Sequence, residues 1–249
     1  MLKVINNRCN LHNSYLFNYA HFICDCVFPE FIDGIGNRPE KTILRKKKVR
    51  QSLGKFSKMY EVIFNKKNVE LEENKFINSN CPRLVISKKE NIEKENFFKF
   101  QKYIWDKFLN LNDNFIFPEI LLINRGVFKL EFNSKNKIIN ITSGNHRREI
   151  KKINILHEIL TKKYKNNYKM IQLQNHSFKQ QVNYFYNAKI IILAHGAAMS
   201  NMFFCKKNTK IIEVTDGNKW LFFDKISNIL KLNHLKCENK IENILNKIN

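Results

Sequence analysis

The sequence predicts an α/β protein whose C-terminal half is a doubly wound, mostly parallel sheet. Strand-like and helix-like segments alternate from residue 119 to residue 214, the order that right-handed crossover connections require. Ile190-Ile191-Ile192-Leu193 is apolar without alternation, as in a central strand covered on both faces. It runs directly into Ala194-His195-Gly196-Ala197, a small-residue turn that opens a helix.

In chain order, 94–109 has the apolar spacing of a helix, with Phe97, Phe98, Tyr103, Ile104, Trp105 and Phe108 in one band. Arg83–Ser87 before it reads as a short strand. A polar stretch at 110–114, followed by Pro118, breaks the pattern and sets a boundary between 1–114 and 115–249. Glu119–Asn124 is a compact apolar strand, and 126–145 a hairpin or irregular insertion. Arg148–Lys163 reads as a helix with Ile150, Ile153, Leu156, Ile159 and Leu160 on one face. Lys169–Leu173 is a strand, and Ser177 with Gln180 forms a capping box for a helix to about Asn187. After the strand at 189–194, 198–204 is a short helix and 210–214 the next strand.

Composition decides little beyond the expectation that the chain has no membrane span. No run approaches the roughly 18 apolar residues that cross a bilayer, and residues 1–8 lack a signal-peptide pattern, so a cytoplasmic protein is expected. The six cysteines include only one close pair, Cys24 and Cys26, which is not a zinc pattern; free, buried thiols are expected. The net charge of +22 invites a nucleic-acid reading. Lys outnumbers Arg 36 to 8, however, and Asn is as common as Lys, so the bias is compositional rather than chosen for phosphate. The densest basic run, Arg45-Lys46-Lys47-Lys48-Val49-Arg50, is either an anionic-surface patch or a solvated face.

The functional edge of such a sheet lies outside the carboxyl ends of its strands. Gly196 permits a sharp turn and close ligand approach, and the helix start at Ala197 offers N–H groups to a phosphate. His195 adds a donor or a cation, and Glu213 a carboxylate suited to hydroxyls such as those of a ribose. The same small residues also serve plain helix–sheet packing. Arg125 ends a strand at this rim, and Arg147 and Arg148 stand at the next helix start. With Arg so scarce, the three read either as a diphosphate clamp or as ordinary salt-bridge positions. In the N-terminal half His21, Asp25 and Pro29 recur every four residues. His21 and Asp25 are then either a base with its orienting carboxylate or one hydrogen-bonded His on a capped helix.

Together these pieces resemble family 61 glycosyltransferases, the group containing plant xylan arabinosyl- and xylosyltransferases and animal protein-linked N-acetylglucosaminyltransferases. The resemblance runs through Ser177…Gln181, the 190–193 strand, His195-Gly196-Ala197, Asn201, Phe203-Phe204 and Ile212-Glu213. It also takes in His21-Phe22…Asp25…Pro29, Arg125 and Arg147-Arg148. Where the family usually has Asn soon after the helix-start Arg, this chain has Lys151-Lys152, with Asn154 slightly later.

The resemblance implies a GT-B-like fold of two Rossmann-like lobes: 1–114 a reduced acceptor-side lobe, and 115–249 the donor-binding lobe ending in C-terminal helices. It implies a nucleotide-sugar donor, most often a UDP-sugar, a glycan or glycoprotein acceptor, inversion at the anomeric carbon, and neither metal nor cofactor. His21 and Asp25 would be catalytic. Arg125, Arg147, Arg148, His195, Gly196, Ala197, Asn201 and Glu213 would bind the donor. No specific nucleic-acid partner is expected, and the Lys-rich surface is compatible with peripheral contact to an anionic membrane. A basic nucleic-acid-binding module and a catalytically inactive scaffold of the same fold are the alternatives.

Overall fold

The computed structural model describes residues 2–4, 19–28, 31–32, 41–45, 56–65, 67–71, 94–109, 117–125, 129–134, 137–142, 148–217 and 221–249. The expected strand at Arg83–Ser87, residues 46–50 of the basic run, and Arg147 lie outside them. The chain divides into one unit of Met1–Ile92 with Glu131–Asn140 and another of Glu93–Leu130 with Ile141–Asn249. Among the described residues no helix is long and apolar enough to cross a membrane.

In the first unit β1 (Leu2–Val4), β2 (Lys41–Arg45) and β3 (Lys67–Leu71) form a parallel three-stranded sheet in that order. Helix α1 (Tyr19–Phe22) continues as a π-helical turn over Ile23–Val27, and α2 spans Ser57–Phe64. Asn65 ends α2 in the left-handed conformation that Asn tolerates better than most residues. Phe22, Ile23, Val27, Phe28, Tyr60 and Ile63 are fully buried, and Phe22 stacks on Phe56 with ring centroids 4.8 Å apart.

The second unit opens with α3 (Lys94–Phe108) and carries five parallel strands. They are β4 (Ile120–Ile123), β7 (Tyr168–Ile171), β8 (Ile190–Ala194), β9 (Lys210–Val214) and β10 (Asn233–Cys237). In the sequence between β4 and β7, β5 (Lys129–Ser134) and β6 (Lys137–Thr142) form a two-stranded sheet, the hairpin alternative for this insertion, with Glu131–Asn140 counted in the first unit. The spatial order is β10-β9-β8-β4-β7, so β8 is central, as its unbroken apolar run requires.

Both faces of the sheet are covered. Ile120, Leu122, Ile192, Ile212 and Val214 pack on one side with Leu156 and Leu160 of α4 (Ile153–Tyr164) and Ile244 and Ile248 of α7 (Ile241–Ile248). Strand alternation turns Leu121, Ile123, Ile191, Leu193 and Ile211 to the other side, where they are equally buried. The remaining helical elements are α5 (Phe178–Asn187), a 3₁₀ helix (Ala197–Phe204) and α6 (Phe222–Ile229). The fold is thus a doubly wound parallel α/β sheet.

The capping box forms as read: Ser177 Oγ accepts from Gln180 N at 3.2 Å, and Ser177 N donates to Gln180 Oε1 at 2.9 Å. Two expectations change, and one strand lies outside the sequence reading. Helix α4 begins at Ile153, not Arg148, because Ile150 is drawn into the core and Lys152 turns left-handed (φ 53°). The helix after Gly196 is 3₁₀ rather than α. β10 escapes the apolar pattern because it is an edge strand with Leu235 as its one aliphatic residue.

Candidate functional site

From β4 the chain crosses by α4 to β7 on one side, then by α5 to β8 on the other. The loops leaving β4 and β8 therefore diverge, and a crevice opens at their carboxyl ends. Arg125 leaves β4 and His195 leaves β8 at this point. Arg125 Nη1 donates to the Arg148 carbonyl at 3.2 Å and, more weakly, to the His195 carbonyl at 3.4 Å. Burial, and then the charge of Arg148, pushes the Arg125 guanidinium below its ordinary pKa.

Gly196 is what lets this guanidinium in. Its φ of 151° and ψ of −159° belong to a region that is essentially Gly-only. A Cβ there would lie 2.6 Å from Arg125 Nη2. The glycine expected to admit a ligand admits an arginine of the same unit.

A cleft of about 140 Å³ opens beside these loops, lined by Arg148, Glu149, His195, Thr215, Asp216 and Asn239 among others. Asn239 ties its walls together. Its Nδ2 donates to the Glu149 carbonyl at 2.7 Å, its Oδ1 accepts from Lys151 N at 2.9 Å, and its own N donates to Asp216 Oδ1 at 3.3 Å. Asp216 also pairs with Lys151 at 3.1 Å, and that hydrogen bond holds its carboxyl below the ordinary value. Exposed Arg148 supplies a cation to this cleft, and Asp216 and Glu149 supply acceptors. Such a set can take an anionic group and hydroxyls together.

His195 closes the floor. Its Nδ1 lies 2.5 Å from Glu213 Oε1 on β9, and the other carboxylate oxygen lies 2.8 Å from His234 Nε2 on β10. Burial pushes the Glu213 carboxyl up, but the hydrogen bonds from His195 and His234 outweigh it and hold it at about 2. An ionised carboxylate only accepts, so the proton of each bond sits on the histidine nitrogen. That fixes His195, a residue lining the cleft, as an Nδ1–H donor and leaves Nε2 as its ring's other nitrogen.

The other residues singled out from sequence are placed as follows. Arg148 stands in the loop before α4 rather than at the helix start. Ala197 is half-buried at the start of the 3₁₀ helix. Asn201 is fully buried, its Nδ2 donating to Gln181 Oε1 at 3.3 Å, while Gln181 Nε2 donates to the carbonyls of Leu173 and His176. The expected Ser177…Gln181…Asn201 pattern therefore fastens α5 to the 3₁₀ helix and to the loop after β7. Glu213, read as a group for hydroxyls, has a side chain 1% exposed with both its oxygens engaged by histidines. His21 lies on α1 and Asp25 in the π-helical turn, whose i to i+5 bonding departs from the regular four-residue stripe.

Sequence reading missed His234, Asp224, Asp216 and Asn239. Asp216-Gly217 directly after a strand was the available signal for one of them. A comparison with family models matches the one for glycosyltransferase 61 over residues 19–212. The chain belongs to glycosyltransferase family 61. A comparison with curated proteins gives no match. In this glycosyltransferase the matched span takes in His21, Asp25, Arg125, Arg148 and the Gly196 turn, and ends just before Glu213. Among the described residues no group of three or more His, Cys, Asp or Glu is arranged to hold a metal ion. Cys24, Cys205 and Cys237 are buried.

Proposed function

We propose that this glycosyltransferase moves a sugar from a nucleotide-sugar, a UDP-sugar in the first instance, to a hydroxyl of a glycan or glycoprotein acceptor, with inversion. The observation that carries the reading is the meeting of Arg125, Arg148 and His195 at the switch point between β4 and β8. On this reading the donor diphosphate lies in the cleft, where Arg148 offers a bidentate fork and His195 Nε2 faces the leaving oxygen. Arg125 acts from below by fixing the Arg148 and His195 backbones.

The acceptor oxygen attacks the anomeric carbon opposite the diphosphate. A new C–O bond forms as the bond to the diphosphate breaks, and the acceptor proton goes to a base. The reading assigns that base to His21, oriented by Asp25. Positive charge and N–H donors carry the leaving group, so the reading requires no metal. It assigns no nucleic-acid partner, and leaves the Lys-rich surface free for peripheral contact with anionic lipid.

The test is a thermal-shift panel of nucleotides and nucleotide-sugars, with and without EDTA. UDP or a UDP-sugar at 100 times its Kd is expected to stabilise the folded chain by about 2.7 kcal/mol. The shift should persist in EDTA and disappear in His195→Ala. If no member of a panel spanning uridine, guanosine, adenosine and cytidine donors raises the Tm, the donor reading fails. An oligonucleotide that binds wild type and His195→Ala alike would favour the basic-module alternative.

A further inference from the structure

His195 is held by a carboxylate that is itself held by a second histidine. Glu213 sits on β9 in register with Leu193 of β8 and Lys236 of β10, so the three adjacent strands each bring one part of the chain. The order is His195 Nδ1, Glu213 Oε1, Glu213 Oε2 and His234 Nε2. The side chains of His195, Glu213 and His234 are 8%, 1% and 4% exposed, so water does not stand in for any of these bonds.

His234 is anchored at its far side too. Its Nδ1 lies 3.2 Å from Ser227 Oγ and 3.4 Å from Asp224 Oδ1, both on α6. Lys236 holds the other oxygen of Asp224 at 2.6 Å, and Ser227 Oγ donates to the Asp224 carbonyl at 2.8 Å. The His195 ring meets Phe223 of the same helix edge-on, with centroids 5.7 Å apart. Helix α6 thus braces both ends of the chain.

We propose that His234 is a positioning residue: with Asp224 and Ser227 behind it, it fixes the Glu213 carboxylate so that His195 keeps one tautomer and presents Nε2 to the cleft. Without the His234 donor, Glu213 Oε2 faces no partner among the described residues. A buried carboxylate with one oxygen unmet either takes up a proton or turns away, and each outcome releases the His195 ring. His234 does not line the cleft, so its effect on transfer passes through His195.

The proposal builds on the nucleotide-sugar reading for its catalytic meaning but not for its geometry, and the test separates the two. The whole chain is labelled with ¹⁵N-histidine, and the Nδ1–H proton of His195 is followed by NMR. It is assigned by its loss in His195→Gln. A downfield proton slow to exchange with water is expected in wild type and in His234→Gln, whose amide keeps a donor toward Glu213. It is expected to be lost in His234→Leu. A wild-type signal in folded His234→Leu, or no such signal in wild type, overturns the proposal. Should His234→Leu fail to fold, Asp224→Ala replaces it: faster exchange of the His195 proton supports the brace, and unchanged exchange overturns it.

With any donor found active, His234→Leu is expected to lower kcat about 10- to 100-fold at similar KM, the scale of losing an orienting partner. His234→Gln should recover most of that. Loss of the resonance in His234→Leu with no donor ever found would fail the donor reading alone. Turnover with the resonance unchanged would fail the positioning role alone.

Discussion

Arg125 and Arg148 carry the same guanidinium, and the fold uses them in opposite ways. Arg125 is turned inward, its fork spent on the carbonyls of Arg148 and His195 and pressed against Gly196. Arg148 is exposed on the wall of the cleft. The same division separates His195, on the cleft, from Glu213, His234 and Asn201, which face only protein. The site therefore has a facing layer and a supporting layer. Motif residues that look like ligand contacts in the sequence fall mostly in the second. Substitutions should separate the layers, because loss of support lowers stability and binding together, whereas loss of a facing group lowers binding alone.

The largest expected effect lies beneath both layers. Ile192 is fully buried at the centre of β8, packed with Leu122, Ile212 and Leu156. Ile192→Ala should cost about 2–5 kcal/mol, the range for emptying such a core position. Urea unfolding gives the number, and a cost near zero would mean that the sheet is not built around β8.

Gly196→Ala comes next. The backbone conformation alone should cost about 1–3 kcal/mol, and the new Cβ at 2.6 Å must displace the Arg125 fork. The variant is expected to lose stability and nucleotide-dependent stabilisation together. A variant that melts like wild type yet binds no nucleotide would move Gly196 into the facing layer.

Acid should weaken the supporting layer selectively. The Glu213 carboxyl is held at about 2 in the folded chain against an ordinary value of 4.5. A depressed carboxylate contributes stability that is complete above its unfolded value and is lost as pH falls toward the folded one. The loss should therefore fall between about pH 4.5 and 2. In Glu213→Gln, one histidine loses its acceptor at every pH, so the variant should be less stable at pH 6 and approach wild type near pH 2. Parallel stability curves for the two proteins would show that this carboxylate is not the group that titrates.

Legibility in the sequence follows the same division. β8 could be read because Ile190 to Leu193 are apolar on both faces, a pattern that only a covered central strand produces. The capping box was legible because both its partners lie within one turn. The start of α4 was not, since Ile150 fits the helical period yet is buried ahead of the helix by a left-handed Lys152. β10 was missed because an edge strand needs only partial apolar cover, and Asn233-His234-Leu235-Lys236-Cys237 shows no period. The pairings of Glu213 with residues 18 and 21 positions away are tertiary, set by strand register rather than by local spacing. Sequence could name His195 and Glu213 as polar groups at one edge, but not that one would be spent on the other.

Arg148→Ala is the smallest perturbation and the sharpest test of the division. The side chain is exposed and makes no hydrogen bond or ion pair with the described residues; it is the Arg148 backbone carbonyl, unchanged by the substitution, that receives Arg125. Stability should then stay within about 0.5 kcal/mol of wild type, as for surface positions away from caps and cores. Removing the guanidinium also relieves the repulsion that helps lower the Arg125 pKa, a small stabilising contribution. Nucleotide binding should fall much further, since a lost charge-assisted contact to a phosphate is worth about 1.5–3 kcal/mol, or roughly 10- to 150-fold in Kd. Calorimetry on the variant at matched salt reads both quantities. A destabilised Arg148→Ala would place this arginine beside Arg125 in the support, and would leave His195 as the principal facing group of the second unit.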